Sequence, residues 1–256
     1  MTISGSVFDA ASPPLTGGCD ALRLLADADG PGLTLWINKP EAARPPEGWP
    51  ALILLDGEAY FTATAEMAQR LARRSMKTRI EPMMVVGLTL DDGADRHASF
   101  SFSPDAHRPD RQARGRWLLE RLLGQVLPLI EAAGADATKL ALWGHSMSGQ
   151  FVLETRALAG PFNRYIAVSP SIWSNPSIVE ARPARSTQED DLLVVVGGQE
   201  EMTGLAPAHL ARRMVSNARS LLHRGGVRLD VLDSEDHGSA PYASLPAALR
   251  FASPGR

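Results

Sequence analysis

The sequence predicts an α/β fold in which a mostly parallel central sheet is flanked by helices. Two patterns indicate it: short, continuously apolar runs recur along the 256 residues, and stretches with helical spacing separate them. A strand buried on both faces of a parallel sheet has this continuous apolar pattern, because helices cover both sides of the sheet. This length suffices for one large domain. We therefore expect a single domain over residues 20–256, after an N-terminal surface segment over residues 1–19 that is rich in Ser, Pro and Gly.

The first half of the chain supplies four predicted strands and one helix. Residues 21–25 and 33–37 are β-like runs, and the alternation in the second run suits a strand with one buried face. These two strands can form an antiparallel section. Residues 51–55 and 83–88 are short and apolar, as buried parallel strands are. Helical spacing covers residues 60–76 between them.

The second half continues the alternation of strands and helices. Its predicted elements are a polar loop over 89–110, a helix over 111–133, strands over 140–143, 165–168, 192–196 and 227–232, and helices after residue 149, over 207–224 and over 241–251. Only about twenty residues separate Ser169 from Leu192, which leaves little room for a cap. We therefore expect a minimal cap and an open cleft at the carboxyl ends of the strands, where sites lie in such sheets.

One strand ends in a sharp turn that carries a serine. Residues 140–149 read Leu-Ala-Leu-Trp-Gly-His-Ser-Met-Ser-Gly, and the apolar residues Phe-Val-Leu follow at 151–153. A strand, a tight turn with serine at its apex and a helix form the nucleophile elbow of α/β-hydrolases. Gly144 and Ser148 keep the flanking positions small, although Ser148 replaces the glycine that is usual at the fifth position of G-x-S-x-G. The motif predicts an α/β-hydrolase fold with Ser146 as nucleophile.

A serine hydroxyl needs a base, and one histidine is well placed to act as that base. In this fold the order along the chain is serine, acid, histidine. Of the six histidines, two lie in the polar loop over 89–110, before the serine, and two fall within a predicted helix. His145 adjoins Ser146, but the elbow is expected to direct neighbouring side chains apart. His237 follows the last strand in a loop, and we predict that it is the base.

The acid of the triad should follow the strand over 192–196. Two glutamates follow it, in the sequence Gly-Gly-Gln-Glu-Glu. Glu200 is the preferred acid, because a carboxylate there can orient the imidazole and stabilise its cation, and Glu201 is the next choice. Asp233 and Asp236 are weaker candidates because they share the segment of the histidine. A Ser-His dyad without this acid stays an alternative.

The negative oxygen that develops in the reaction needs two backbone N–H donors. The residue after the nucleophile, Met147, should supply one of them. The loop after the strand over 51–55 should supply the other, and it reads Asp-Gly-Glu. Gly57 permits a tight bend there, which could leave the N–H of Glu58 or of Gly57 free to point into the site.

The composition indicates neither a nucleic-acid partner nor a membrane span. The net charge is −3, so nothing indicates a nucleic-acid partner, and no apolar run approaches the roughly 20 residues that span a bilayer. A single cysteine, Cys19, cannot form an internal disulfide, and no clustered His/Cys pattern indicates a metal or another cofactor. Because the N-terminus has no signal pattern, the expected location is the cytoplasm. No oligomeric state is predicted.

Several segments between about residues 50 and 252 resemble the esterase D-like α/β-hydrolases. Residues 54–61, Leu-Leu-Asp-Gly-Glu-Ala-Tyr-Phe, look like the "LDG…F" segment of that family. Residues 169–173, Ser-Pro-Ser-Ile-Trp, resemble the "SPS-W" segment of its ferri-siderophore esterase branch, although that branch often has a second Trp where Ser174 stands. His-Gly-Ser at 237–239 and the apolar stretch at 245–251 are similar to that branch's C-terminal segment. The loop from Arg96 resembles an arginine loop of the branch in degenerate form.

The resemblance implies a serine carboxylic-ester hydrolase like the ferri-siderophore trilactone esterases. It places the oxyanion donors at the N–H groups of Glu58 and Met147. It also implies that Trp173 lines the cleft, where its ring can stack on a catechol. Arg96 and Arg108 would attract an anionic ferric catecholate.

Two alternatives to an esterase stay open: another enzyme of the same fold, and a protein without catalytic activity. The same fold serves thioesterases such as S-formylglutathione hydrolase, and it serves acyltransferases. A non-catalytic, hydrolase-like binding protein is the third reading, against which the presence of all three triad residues argues.

Overall fold

An eight-stranded sheet forms the centre of the computed structural model, which describes residues 19–91, 93–103, 112–180 and 190–253. The strands are β1 (Cys19–Leu24), β2 (Leu33–Asn38), β3 (Trp49–Leu55), β4 (Met84–Leu90), β5 (Ala135–His145), β6 (Arg164–Val168), β7 (Leu192–Gly197) and β8 (Val227–Leu232). Their spatial order is β1-β2-β4-β3-β5-β6-β7-β8. The β1–β2 and β2–β4 pairs are antiparallel and all the others are parallel, which confirms the predicted architecture.

Helices cover both faces of this sheet. They are α1 (Gly57–Ala72), α2 (Ser75–Thr78), α3 (Arg96–Phe100), α4 (Gly115–Arg121), α5 (Leu127–Ala132), α6 (Met147–Ala157), α7 (Pro207–Leu210), α8 (Met214–Ser220), α9 (Ala240–Ala243) and α10 (Leu245–Ala252). A π-helical turn over Leu122–Val126 joins α4 to α5, and 3-10 turns cover Ile172–Ser174, Pro176–Val179, Gly198–Glu201 and Leu221–Arg224. Within the described residues between β6 and β7 there are only two 3-10 turns, as expected for a minimal cap.

The apolar side chains form one core on each face of the sheet. Successive residues of a strand point to opposite faces, and β3 shows this directly. Leu52 and Leu54 pack in the core beneath α1 and α10. Ile53 and Leu55 pack in the other core, with residues of α4, α5, α6 and α8. Burial on both faces explains why β3 is apolar throughout.

Two predicted elements are wrong in part. The polar loop expected over 89–110 contains α3, which begins where the Asp95 side chain accepts the N–H of Ala98 at 3.1 Å and ends on buried Phe100. The single helix expected over 207–224 is broken between α7 and α8, where Arg213 has a φ of 49° that a continuous right-handed helix does not allow.

The structure describes only the last residue of the predicted N-terminal segment. Of the predicted N-terminal segment, residues 1–18 lie outside the described residues, and Cys19 already belongs to β1. No helix in the described ranges is long and apolar enough to cross a bilayer. The division into one surface segment and one domain therefore stays a prediction.

Candidate active site

Three parallel strands bring the predicted catalytic residues to one edge of the sheet. Ser146 directly follows β5, Glu200 lies in the turn after β7, and His237 lies in the loop after β8. All three strands run in the same direction, so their carboxyl ends meet at this edge. The loops therefore converge although the residues are far apart in sequence.

Ser146 occupies a strained turn between β5 and α6. Its backbone angles, φ 58° and ψ −114°, lie outside the ordinary regions for a residue with a side chain. The turn is tight enough that a Cβ on Gly144 would lie 2.4 Å from the carbonyl oxygen of Ser148. The N–H of Ser146 donates to the carbonyl of Val168 at 3.0 Å, which ties the turn to β6. The elbow is thus held by its neighbouring strand while its serine side chain points into the site.

The imidazole of His237 lies between Ser146 and Glu200. Its Nε2 is 3.1 Å from Ser146 Oγ, and its Nδ1 is 2.6 Å from Glu200 Oε2. A carboxylate can only accept, so Nδ1 carries the proton of the neutral ring. Nε2 then presents its lone pair to the serine hydroxyl, which is the arrangement a general base needs.

The carboxylate of Glu200 is buried, and hydrogen bonds fix the oxygen that does not face His237. Oε1 accepts the Ser169 hydroxyl at 2.5 Å and the N–H of Gly197 at 2.9 Å. A Cβ on Gly197 would lie only 2.5 Å from the carbonyl oxygen of Glu235, so a glycine there lets the acid turn pack against the histidine loop. Both contacts fix the carboxylate in the orientation that His237 meets.

The neighbouring glutamate has a different role. Glu201 accepts the N–H of Ser216 at 2.7 Å and its hydroxyl at 2.6 Å, so it joins the acid turn to α8. Burial alone would raise the pKa of Glu201, but these hydrogen bonds outweigh it and lower the pKa. Asp236 accepts the N–H groups of Gly238 and Ser239 and shapes the histidine turn. Only Glu200, among the four acids considered, is hydrogen-bonded to the imidazole in the described structure.

His145 supports the histidine loop from beneath, a role that the sequence did not reveal. Its Nε2 lies 2.9 Å from the carbonyl oxygen of His237, and its Nδ1 lies 2.9 Å from the hydroxyl of Tyr60. Because the carbonyl can only accept, Nε2–H donates to it and Nδ1 accepts from Tyr60. Burial, then the charge of His237, lowers the pKa of His145 to about 4, so the ring is neutral at pH 7.

His145 and Ser146 do not hydrogen-bond to each other through their side chains, as expected of an elbow that directs neighbouring side chains apart, but His145 still reaches the loop of His237. The rings of His145 and His237 lie 4.6 Å apart between centroids. Both ring nitrogens of His145 are occupied by other partners, and neither meets Ser146. His145 therefore positions the loop that carries His237, the predicted base.

The two predicted oxyanion donors differ in whether their N–H groups already have an acceptor. Met147 is the first residue of α6, and the first N–H groups of a helix have no acceptor within it. The N–H of Glu58, however, donates to the Thr89 hydroxyl at 3.0 Å, so it is not free as predicted. The reason is the pairing of β3 with β4, which brings the end of β4 beside the loop after β3. Gly57, the alternative donor, begins α1 next to it.

A second serine lies beside Ser146, the predicted nucleophile. Ser171 Oγ is 3.2 Å from Ser146 Oγ, and the N–H of Ser171 donates to the carbonyl of Ser146 at 3.0 Å. Because the proton of Ser146 points to His237 in a general-base arrangement, the Ser171 hydroxyl is then the donor between the two oxygens. Its place three residues after the end of β6, at the same edge of the sheet, is the signal that could have identified it.

The predicted substrate-binding residues are placed in three different ways. Trp173 is 38% exposed two residues after Ser171, and the guanidinium of Arg212 lies 5.3 Å from the centre of its ring. Arg96 instead donates to both oxygens of Asp56, at 2.5 and 2.6 Å. Arg108 lies outside the described residues. In the described ranges no group of three or more His, Cys, Asp or Glu side chains could hold a metal ion.

Comparison with known proteins identifies relatives that match most of the chain. Residues 32–225 match the protein-family model Esterase. The ferri-bacillibactin esterase BesA of Bacillus subtilis is 28% identical over 249 residues, which cover 85% of this chain and 83% of that protein. The siderophore triacetylfusarinine C esterase of Aspergillus fumigatus is 29% identical over 250 residues, which cover 84% of each chain. The solved structure of the BES protein from Bacillus cereus has a TM-score of 0.79 at 22% identity and covers 96% of this chain and 98% of that one, which confirms the α/β-hydrolase fold.

Proposed function

The chain belongs to the Esterase family and is a serine carboxylic-ester hydrolase, and we propose that it cleaves the ester bonds of a siderophore with Ser146, His237 and Glu200 as its catalytic triad. The observation that carries the proposal is the unbroken line of hydrogen bonds from Ser146 Oγ through His237 to Glu200, at 3.1 and 2.6 Å. Serine, base and acid stand in the order and geometry that nucleophilic catalysis needs.

The first half of the reaction forms an acyl-enzyme. His237 Nε2 removes the proton of Ser146 while Oγ attacks the ester carbonyl, and Glu200 stabilises the imidazolium that results. The negative oxygen of the tetrahedral intermediate accepts the N–H of Met147 and a second N–H from the loop Asp56–Glu58. His237 then gives its proton to the departing alkoxide, and the alcohol leaves.

The second half returns the enzyme to its starting state. A water molecule gives a proton to His237 and attacks the acyl carbonyl, and the same N–H donors stabilise the new oxyanion. Ser146 Oγ then leaves with the proton from His237, and the carboxylic acid departs. One water is consumed for each ester bond that breaks.

Two observations support a siderophore as the substrate. Relatives that match most of the chain are named as esterases of ferri-bacillibactin and of triacetylfusarinine C. Beside the triad, Trp173 and Arg212 form an exposed pair of an aromatic ring and a cation. A ferric catecholate is both aromatic and anionic, so ring stacking and charge attraction can act on it together. The small amount of described chain above the sheet between β6 and β7 suits so bulky a ligand.

A substrate panel tests the proposal. Hydrolysis of p-nitrophenyl acetate, ferric enterobactin and S-formylglutathione is measured for the wild-type protein, for Ser146→Ala and for Ser220→Ala, a control at the last residue of α8, whose hydroxyl donates to the carbonyl of Ser216. We expect the siderophore to be preferred, Ser146→Ala to lose activity and Ser220→Ala to retain it. Preference for S-formylglutathione would instead identify a thioesterase, and full activity of Ser146→Ala would refute the triad.

The cytoplasmic location stays part of the proposal. A siderophore esterase acts where its ligand must release iron, and a single cysteine, Cys19, is compatible with a reducing compartment. Fractionation of the native host with an antibody to this protein tests it, since recovery with a periplasmic or extracellular marker would contradict it.

A further inference from the structure

Ser148, the residue that departs from the usual elbow motif, is completely buried beneath the nucleophile. Its hydroxyl accepts the N–H of His145 at 2.8 Å and lies 2.6 Å from Asp56 Oδ2, to which it donates. The carbonyl of His145 lies 2.9 Å away as a second acceptor. A glycine, which is usual at this position, could make none of these contacts.

The partner of this hydroxyl belongs to the other half of the oxyanion site. Asp56 is buried, has a left-handed backbone with φ 56° and ψ 48°, and directly precedes Gly57 and Glu58. Its carboxylate is fixed by Arg96, which also donates to the carbonyl of His145 at 3.2 Å. Ser148 and Arg96 therefore connect the same two segments, the elbow and the loop after β3.

These contacts influence the distance and the orientation between the two proposed oxyanion donors. Met147 N–H lies on the elbow, one residue before Ser148, and the second N–H lies one or two residues after Asp56. Donors act on the transition state only when both point to the same oxygen, and displacements of about 1 Å are costly to the rate. A direct bond between Ser148 and Asp56 holds the elbow and the loop in a fixed relation.

We propose that Ser148 is a positioning residue that sets the geometry of the oxyanion site through Asp56, together with Arg96. This inference rests on the proposed function, because it presumes that Ser146 attacks an ester. It predicts an unusual result: restoring the glycine of the common motif makes this enzyme worse. In Ser148→Gly and Ser148→Ala the hydroxyl is lost, and of the two side chains that join Asp56 to the elbow only Arg96 remains.

The test is steady-state hydrolysis of p-nitrophenyl acetate by Ser148→Ala, Ser148→Gly and the control Ser220→Ala. We expect kcat to fall about 10-fold in both Ser148 variants while KM stays within about twofold, because the donors act mainly in the transition state. An aryl boronic acid, which mimics the tetrahedral intermediate on the serine, should bind the variants about 10-fold more weakly. Ser148→Cys, which keeps a weak donor, should fall between alanine and wild type.

Two further readouts separate this role from a purely structural one. In a double-mutant cycle, Ser148→Ala and Arg96→Lys should be non-additive in kcat, because both act through Asp56. Unchanged kcat and boronate affinity in a folded Ser148→Ala protein would overturn the proposal, as would full additivity with Arg96→Lys. If Ser148→Ala does not fold, the cysteine variant with wild-type kcat would overturn it instead. Failure of the wild-type protein to hydrolyse any ester would refute the proposed function itself.

Discussion

Replacing the proposed triad acid by its amide, Glu200→Gln, should nearly abolish catalysis without changing the shape of the site. In the wild-type structure Glu200 Oε1 accepts two donors, the Ser169 hydroxyl and the N–H of Gly197. The amide oxygen of glutamine must take that position, because a backbone N–H needs an acceptor. The amide NH2 group then faces His237 Nδ1, where a carboxylate oxygen accepted before.

This exchange changes the base in two ways. Nδ1 of His237 becomes an acceptor, so the ring proton moves to Nε2, which can no longer take the proton of Ser146. The charge is lost as well. A carboxylate and an imidazolium with centres about 4 Å apart attract by about 4 kcal/mol at an effective dielectric of 20, which corresponds to roughly a 10³-fold change in rate. With the wrong tautomer added, we expect kcat to fall about 10³- to 10⁴-fold.

The assay is kcat and KM for p-nitrophenyl acetate, with Glu201→Gln as the matched control. Glu201 bonds to Ser216 and not to the imidazole, so its variant should keep kcat within about threefold. Near-ultraviolet circular dichroism verifies that both variants are folded. A kcat loss below about tenfold in folded Glu200→Gln would refute the reasoning, since His237 would then work without a carboxylate. A large loss in Glu201→Gln alone would transfer the role of acid to that residue.

Three further predictions address the residues around the triad. Thr89→Val removes the hydroxyl that accepts the N–H of Glu58, so kcat/KM should rise about two- to fivefold if that N–H serves the oxyanion; an unchanged value would assign the role to Gly57. Ser171→Ala removes the donor beside Ser146 Oγ and should lower kcat about 3- to 10-fold with KM nearly constant; a change in KM alone would make Ser171 a substrate contact. The pKa of His145 is lowered from 6.5 to about 4, so between these pH values the unfolded chain binds more protons than the folded protein. The free energy of unfolding should therefore fall as the pH falls from 7 to 4, by up to about 3 kcal/mol. Urea titrations at several pH values should show this component in the wild type and not in His145→Gln, and equal pH dependence of the two proteins would contradict it.

The fold and the three residues of the proposed triad could be predicted from the sequence, because both predictions depend on local patterns. Apolar runs such as β3 show burial on both faces, and the G-x-S turn specifies a strand, a bend and a helix. Once the fold is known, the carboxyl ends of the strands place Glu200 and His237 near Ser146. The topology of the sheet alone is therefore enough to predict that these three residues lie close together.

Contacts between distant segments were not accessible in this way. The bonds of His145 to Tyr60 and to the carbonyl of His237 depend on how α1 and the last loop meet beneath the elbow. The Thr89 hydroxyl depends equally on the register of β4 beside β3. Arg96 is a further example. The sequence suggests that this arginine binds a ligand, whereas in the structure it donates to Asp56.

The most direct test of the account is the cleavage of ferric enterobactin followed by mass spectrometry of the products, for wild type and for Ser146→Ala. We predict that the wild-type enzyme adds one water for each ester bond broken, with a kcat/KM at least about 10-fold above that for S-formylglutathione. Ser146→Ala should lower this rate by roughly 10³-fold or more. Intact siderophore under conditions in which p-nitrophenyl acetate is hydrolysed, or equal cleavage by Ser146→Ala, would contradict the claim that this serine enzyme is a siderophore esterase.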